Sequence, residues 1–272
     1  MRRCLLGLAV LLSGWANLVS NPARAEVEVD LALVIAVDVS FSMDTDEQNL
    51  QREGFVEAFR SAVVHDAIRR GAVGRIAVSY MEWAGSSDQR VLLPWTVIEG
   101  PESAFAFADD LSRKPTRRAS RTSISGALDF AAKMQDESGF TAVRKVIDVS
   151  GDGPNNQGRS VLAARADAIA RNITVNGLPI MLKSAGYFDI PDLDLYYRDC
   201  VIGGQGAFMV PAKDKAQFRD AVKTKIIMEI ASAPTPGRAA ATEGGTLVVL
   251  AQEAGRANCF AGEQQWRDRM GN

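Results

Sequence analysis

Apolar residues run without interruption from Leu31 to Val37, and the run stops at Asp38-Val-Ser-Phe-Ser42. A continuous apolar stretch, as opposed to an alternating one, is the pattern of a strand covered on both faces. Residues 31–39 are therefore predicted as a central strand. From 46 to 68 the period changes: Leu50, Phe55, Val56, Phe59, Val63 and Ala67 fall at helical spacing. A strand follows at 74–84, and 90–98 is predicted to hairpin back from it across Gly-Ser-Ser-Asp-Gln, with Pro94 suited to an edge. Helices are predicted at 101–113, opened by Pro101, and at 124–137. A buried strand at 144–150, a helix at 159–172 and a strand at 173–182 come next. A long polar and aromatic loop then runs to about 200, before a strand at 206–212 and a helix at 214–231. This alternation predicts an α/β domain: an open, mostly parallel sheet with one antiparallel edge strand and helices on both faces.

The ends of the chain read differently. Residues 1–25 start with two arginines, continue with a short apolar stretch and finish in Ala23-Arg-Ala25, the pattern of a signal peptide cleaved after Ala25. The apolar stretch is too short and interrupted for a comfortable membrane span. The expectation is an exported protein, periplasmic or secreted, with no membrane span after cleavage; an uncleaved N-terminal anchor is the alternative. The domain is read as 26–231. Residues 232–245, rich in Pro, Gly, Ala and Thr, have linker composition, and 246–272 form a C-terminal tail with one apolar stretch. That tail either docks on the domain or contacts another chain. No internal repeat is visible.

Composition narrows the function classes. Hydrophobic residues make up 47% of the 272 and charged residues 24%, which is ordinary for a globular chain. The formal charge is −2; without the first 25 residues, 28 Lys and Arg face 33 acids, a net −5. No basic excess points to nucleic acid. In an oxidising compartment the two cysteines beyond the leader, Cys200 and Cys259, either pair or remain separate thiols.

The candidate chemistry sits where strands end. In an open parallel sheet, ligands collect beyond the carboxyl ends of the strands where the chain order reverses. Alternate residues of an extended segment point the same way, so Asp38, Ser40 and Ser42 converge on one point. A carboxylate and two hydroxyls are hard oxygen donors, suited to Mg²⁺, Mn²⁺ or Ca²⁺ and ill suited to zinc. Val149-Ser-Gly-Asp-Gly153 brings Asp152 to the same crevice, flanked by glycines. Arg121-Thr-Ser-Ile-Ser-Gly-Ala-Leu128 puts Thr122 just before a helix, where Thr122 or Ser123 also reads as an N-cap.

Together these segments resemble the metal-ion-dependent adhesion site of von Willebrand factor type A (vWA) domains. The likeness consists of Asp-x-Ser-x-Ser at 38–42, a Thr-x-Ile-x-x-Ala-Leu segment at 122–128 and Asp-Gly at 152–153, in that order, within 29–231. The chain also resembles a little-characterised branch of exported bacterial vWA-like proteins, in which Ser-Gly-Asp-Gly-Pro-Asn-Asn, here at 150–156, replaces the more usual Thr-Asp-Gly. The resemblance implies a vWA-like fold, with Ser40 and Ser42 as direct ligands. Asp38 and Asp152 would be carboxylates acting directly or through water, and Thr122 a ligand that changes with state. It implies Mg²⁺ as the first choice of cation, with Mn²⁺ or Ca²⁺ as alternatives. It also implies an unidentified protein partner supplying an acidic group, and no enzyme activity. The departure is Gly151, where Thr or Ser is usual. Asp148 alternates with Ser150 and Asp152, so it either orients a ligand or a water from behind the metal or is a satisfied structural carboxylate.

A vWA-like scaffold with a structural or degenerate metal site, binding through its tail or edge strand, is the alternative function. A metal-dependent hydrolase is the third. An EF-hand is excluded by Met43 at the sixth loop position and by the strand before it. The single histidine, His65, lies within an amphipathic helix, and there is no Gly-x-Ser-x-Gly elbow and no Walker motif. Asp44 and Asp46 suit the start of the helix that follows. Arg113, Lys114, Arg117, Arg118 and Arg121 lead to Thr122, either as a solvated flexible loop or as charges that steer an acidic partner.

Overall fold

The computed structural model describes residues 26–183, 190–231, 240–243, 246–250 and 257–271. The predicted leader, and the first part of the predicted linker, lie outside them. The described residues build one eight-stranded sheet with spatial order β3-β2-β1-β4-β5-β6-β8-β7.

The central strand β1 (Val27–Asp38) is parallel to β2 (Ile76–Trp83) on one side and to β4 (Phe140–Gly151) on the other. Strand β3 (Gln89–Ile98) pairs antiparallel with β2 at the edge, and the ladder slips at Val78/Tyr80, where Pro94 offers no N–H. Beyond β4 lie β5 (Ile173–Pro179) and the two-residue β6 (Phe208–Met209), both parallel. The tail docks on the sheet. Its strands β7 (Ala240–Glu243) and β8 (Thr246–Leu250) form a hairpin, and β8 adds antiparallel to β6. The segment 240–243 thus carries a strand inside a stretch of linker composition.

Helices cover both faces. Val34, Ala36, Ile147 and Val149 point to the layer formed by α4 (Ile124–Asp136), α5 (Val161–Ala170), the short α6 (Leu193–Tyr196) and a π-helical turn, Tyr197–Val201. Leu33, Ile35 and Val37 point the other way, to α1 (Thr45–Arg60), α2 (Ala62–Arg69), α3 (Pro101–Ser112) and α7 (Phe218–Ala231). The last helix, α8 (Ala261–Met270), belongs to the tail. This is the predicted α/β architecture with a second antiparallel pair, β8 and β7, added at the opposite edge, and the double cover explains why β1 is apolar at every position from 31 to 37.

Two local expectations are corrected. The single helix predicted at 46–68 breaks at Ser61, whose backbone is extended at φ −77°, ψ 130°. The break frees the Phe59 carbonyl, and the His65 imidazole takes it at 2.7 Å; a carbonyl only accepts, so Nε2 carries the proton. The loop predicted to reach residue 200 is helical from Leu193 to Val201, because its aromatic residues pack inward: Tyr196 and Tyr197 are buried. Among the described residues no helix is long and apolar enough to cross a membrane.

Candidate metal site

Because β1 is flanked by β2 and β4, the chain order reverses at β1, and the crevice at the carboxyl ends of β1 and β4 is the switch point of the sheet. Asp38 ends β1 there, wholly buried. Its Oδ1 accepts the Ser40 N–H at 2.7 Å, which curls the chain so that the two serines follow the carboxylate. Ser40 Oγ and Ser42 Oγ are 2.8 Å apart, and Ser42 Oγ donates to Asp152 Oδ1 at 2.6 Å. Asp38, Ser40, Ser42 and Asp152 are thus one chain of contacts joining two strand ends. Asp44 then starts α1 with a reciprocal cap: its Oδ1 accepts from Glu47 N at 2.8 Å, and Glu47 Oε2 accepts from Asp44 N at 3.0 Å.

Thr122 is held by a partner that the sequence reading did not single out. Its N–H donates to Asn156 Oδ1 at 2.9 Å, and its carbonyl accepts from Asn156 N at 2.8 Å. The N-cap of α4 is Ser123, whose Oγ accepts from Gly126 N at 3.1 Å, so capping does not use the Thr122 hydroxyl. Asn155 works alongside: its Oδ1 accepts Ser125 N at 2.9 Å and its N–H donates to Tyr196 Oη at 3.1 Å. The Pro-Asn-Asn of 154–156 therefore lashes the Asp152 loop to the Thr122 loop.

Asp148 is placed elsewhere. It faces α7, where Lys225 Nζ lies 2.9 Å from its Oδ1 and 2.6 Å from Glu229 Oε1, and Asn176 Nδ2 donates to Glu229 Oε2 at 2.7 Å. All four side chains are buried. Of the two readings of Asp148, these contacts fit the structural carboxylate: the helix facing β4 offers an ammonium, and a buried carboxylate goes to the charge that compensates its desolvation. Burial raises Asp148 and Glu229 above the ordinary carboxylate range. Burial alone would lower Lys225, but the two carboxylates outweigh it and hold it raised.

The basic loop is anchored more than a solvated, flexible loop would be. Arg117 bonds the buried Glu82 at 3.0 Å and Asp88 at 2.9 Å, and Glu82 also takes Arg52 at 2.7 Å. Arg118 donates to the Phe41 carbonyl and sits 5.5 Å from the ring centre of Phe41, which is 56% exposed. Arg121, in the left-handed region at φ 78°, lays its guanidinium 3.3 Å from the ring centre of Trp266 on α8. Backbone strain of this kind persists only where surrounding contacts impose it. Cys200 and Cys259 are disulfide-bonded, which ties α8 to the π-helical turn.

The donor set fits a hard divalent cation. Asp38 Oδ2 is buried with no hydrogen-bond partner, an arrangement that costs free energy unless a positive charge compensates it. Burial first, then the charge of Asp152, push the Asp38 carboxyl well above the ordinary carboxylate range. Among the described residues no cluster of three or more His, Cys, Asp or Glu is arranged for a metal. Any cation here would depend on hydroxyl oxygens beside two carboxylates, the preference of Mg²⁺, Mn²⁺ and Ca²⁺. Lys183, another residue the sequence reading missed, donates to the Ser42 carbonyl at 2.8 Å and pairs with Glu47.

Residues 28–234 match a family model described as "Protein of unknown function (DUF1194)". The chain belongs to this family. No curated protein matches the sequence. Solved structures share the fold. Proximal thread matrix protein 1 from the mussel byssus, in a structure described as having a zinc-occupied MIDAS motif, is 15% identical with a TM-score of 0.56. That match covers 76% of this chain and 49% of that one. A von Willebrand factor type A protein from Catenulispora acidiphila is 15% identical with a TM-score of 0.53, covering 74% and 43%. The pilus adhesin SpaC from Lactobacillus rhamnosus GG is 14% identical with a TM-score of 0.54, covering 84% and 38%. The chain spans about half the length of these structures or less, and the likeness establishes a vWA-like fold for this DUF1194 chain. His65 is buried with its Nε2 on the Phe59 carbonyl.

Proposed function

We propose that this DUF1194 protein is an exported, divalent-cation-dependent protein-binding module, an adhesion or scaffold domain and not an enzyme. Asp38, Ser40, Ser42 and Asp152, with Thr122, would hold the cation, Mg²⁺ first and Mn²⁺ or Ca²⁺ as alternatives. When bound, the cation would supply a Lewis-acidic position for an acidic group of a partner protein. The observation that carries this reading is the hydrogen-bonded chain Asp38–Ser40–Ser42–Asp152 at the switch point, together with the uncompensated Asp38 Oδ2. Phe41 and Arg118 stand at the rim, an exposed aromatic ring and a guanidinium suited to a protein surface carrying carboxylates. The disulfide supports export, since such bonds persist in oxidising compartments.

The test is calorimetric titration of Mg²⁺ and Mn²⁺ into protein recovered from the periplasm of an expressing host, alongside Asp38→Ala. Saturable binding lost in the variant supports the reading, and metal-loaded protein then serves to capture a partner. Absence of binding with either cation, with or without a short acidic peptide, would sink it. Intact mass beginning at Glu26 checks the leader.

A further inference from the structure

Two glycines in neighbouring strands open a slot behind the crevice, and one side chain enters it. A Cβ built on Gly177 of β5 would lie 2.8 Å from Cδ1 of Tyr197, and one on Gly151 of β4 would lie 3.1 Å from the Tyr197 hydroxyl. Real Cβ atoms essentially never come as close as 2.8 Å, and 3.1 Å is tighter than nine in ten real Cβ contacts, so the absence of a side chain at both positions makes room for the ring. The same Gly151 Cβ would lie 2.8 Å from Asp38 Oδ2. The phenol and the unpartnered carboxylate oxygen therefore border one small space. Tyr197 is wholly buried, and the hydrogen bond its hydroxyl donates, to the Gly151 carbonyl, is long at 3.5 Å. A weak bond of that length leaves the O–H available to a better acceptor beside it.

The position of the ring is fixed from outside the site. Tyr197 opens the π-helical turn, closed by Ile202 N–H on the Tyr197 carbonyl at 2.9 Å, and Cys200 on the same turn is bonded to Cys259. Asp199 Oδ2 on that turn accepts from Ala257 N at 3.0 Å. Single-turn π-helical insertions often occur where a side chain has to be aimed.

We propose that Tyr197 is a positioning residue for the cation site, its phenol O–H holding the Asp38 carboxylate through the space that Gly151 leaves empty. The absence of a side chain at 151 and the presence of the tyrosine are then one arrangement: the hydroxyl reaches the carboxylate from the helical layer and not from the strand. This inference rests on the cation-binding reading above. A group that orients a metal-ligating carboxylate from behind typically changes affinity by about 10–100-fold when removed.

The experiment is Mn²⁺ titration of the disulfide-intact protein against Tyr197→Phe, which deletes one oxygen and keeps the ring. About tenfold weaker binding, with the metal-free thermal midpoint kept within a few degrees, is expected. Gly177→Ala, which displaces the ring without touching any candidate ligand, is expected to weaken binding in the same direction. Equal Mn²⁺ affinity in Tyr197→Phe and the parent overturns the proposal. A second measurement separates this from failure of the cation reading: a double-mutant cycle of Asp38→Asn and Tyr197→Phe, read by urea unfolding of metal-free protein. If the parent binds no Mn²⁺, a non-additive cycle still supports the phenol–carboxylate contact, and an additive one removes it.

Discussion

Thr122 and Asn156 hold each other twice, N–H to side-chain oxygen at 2.9 Å and carbonyl to N–H at 2.8 Å. One asparagine side chain thus substitutes for a stretch of ladder between two loops that no strand pairs. Asn156→Ala is expected to destabilise the fold by about 1–3 kcal/mol, the cost of a buried donor left without its acceptor. It should also weaken Mn²⁺ binding about tenfold, although Asn156 is not a ligand. Urea unfolding and calorimetry check the two effects separately.

Asp38 sets stability against binding. Its carboxyl is raised by burial and then by the charge of Asp152. A carboxyl raised in the folded state stabilises the fold below its ordinary titration near 4, and that contribution disappears as pH rises through the raised value. Metal-free Asp38→Asn is therefore expected to melt higher than the parent, by a margin larger at pH 8 than at pH 5. Each 1 kcal/mol corresponds to about 2–4 °C in a domain of this size. The variant should show no Mn²⁺-induced rise in midpoint. Thermal scans in chelator at the two pH values, repeated with Mn²⁺, decide the matter.

Lys225 is the cation that pairs with the buried Asp148 and Glu229, at 2.9 Å and 2.6 Å. Lys225→Met strands both carboxylates and should cost about 3–5 kcal/mol at neutral pH. Both carboxyls are already raised by burial, so acid, which protonates them, relieves the variant. Its deficit should be small at pH 5 and grow toward pH 8, measured as the difference in urea midpoints.

The Cys200–Cys259 bond closes a separation of 59 residues. Replacing both cysteines by serine is expected to cost about 2–4 kcal/mol through the entropy of the unfolded chain. Because α8 also gives Trp266 to Arg121 and Glu263 to Asn155 Nδ2 at 2.7 Å, its release should loosen the crevice. Faster amide hydrogen exchange at 121–125 and 152–156 in the double serine variant, compared with the rest of the sheet, is the expected signature.

The sequence by itself determined the strand that leads into the crevice. An apolar run covered on both faces has to be central, and a polar exit from it has to meet the crevice, since period and burial are local properties of the chain. The convergence of Asp38, Ser40, Ser42 and Asp152 was legible for that reason, and so was the capping by Asp44. Only the tertiary structure decided which helix lies over which strand. That choice sent Asp148 to Lys225, brought Tyr197 through the gap at Gly151 and Gly177, and made Asn156 the support of Thr122. It also folded the tail back through β8 and the disulfide, although the composition before it reads as linker. Alternation along a strand states the face on which a side chain stands. It does not name what stands opposite, because that partner is set by packing between segments far apart in the chain.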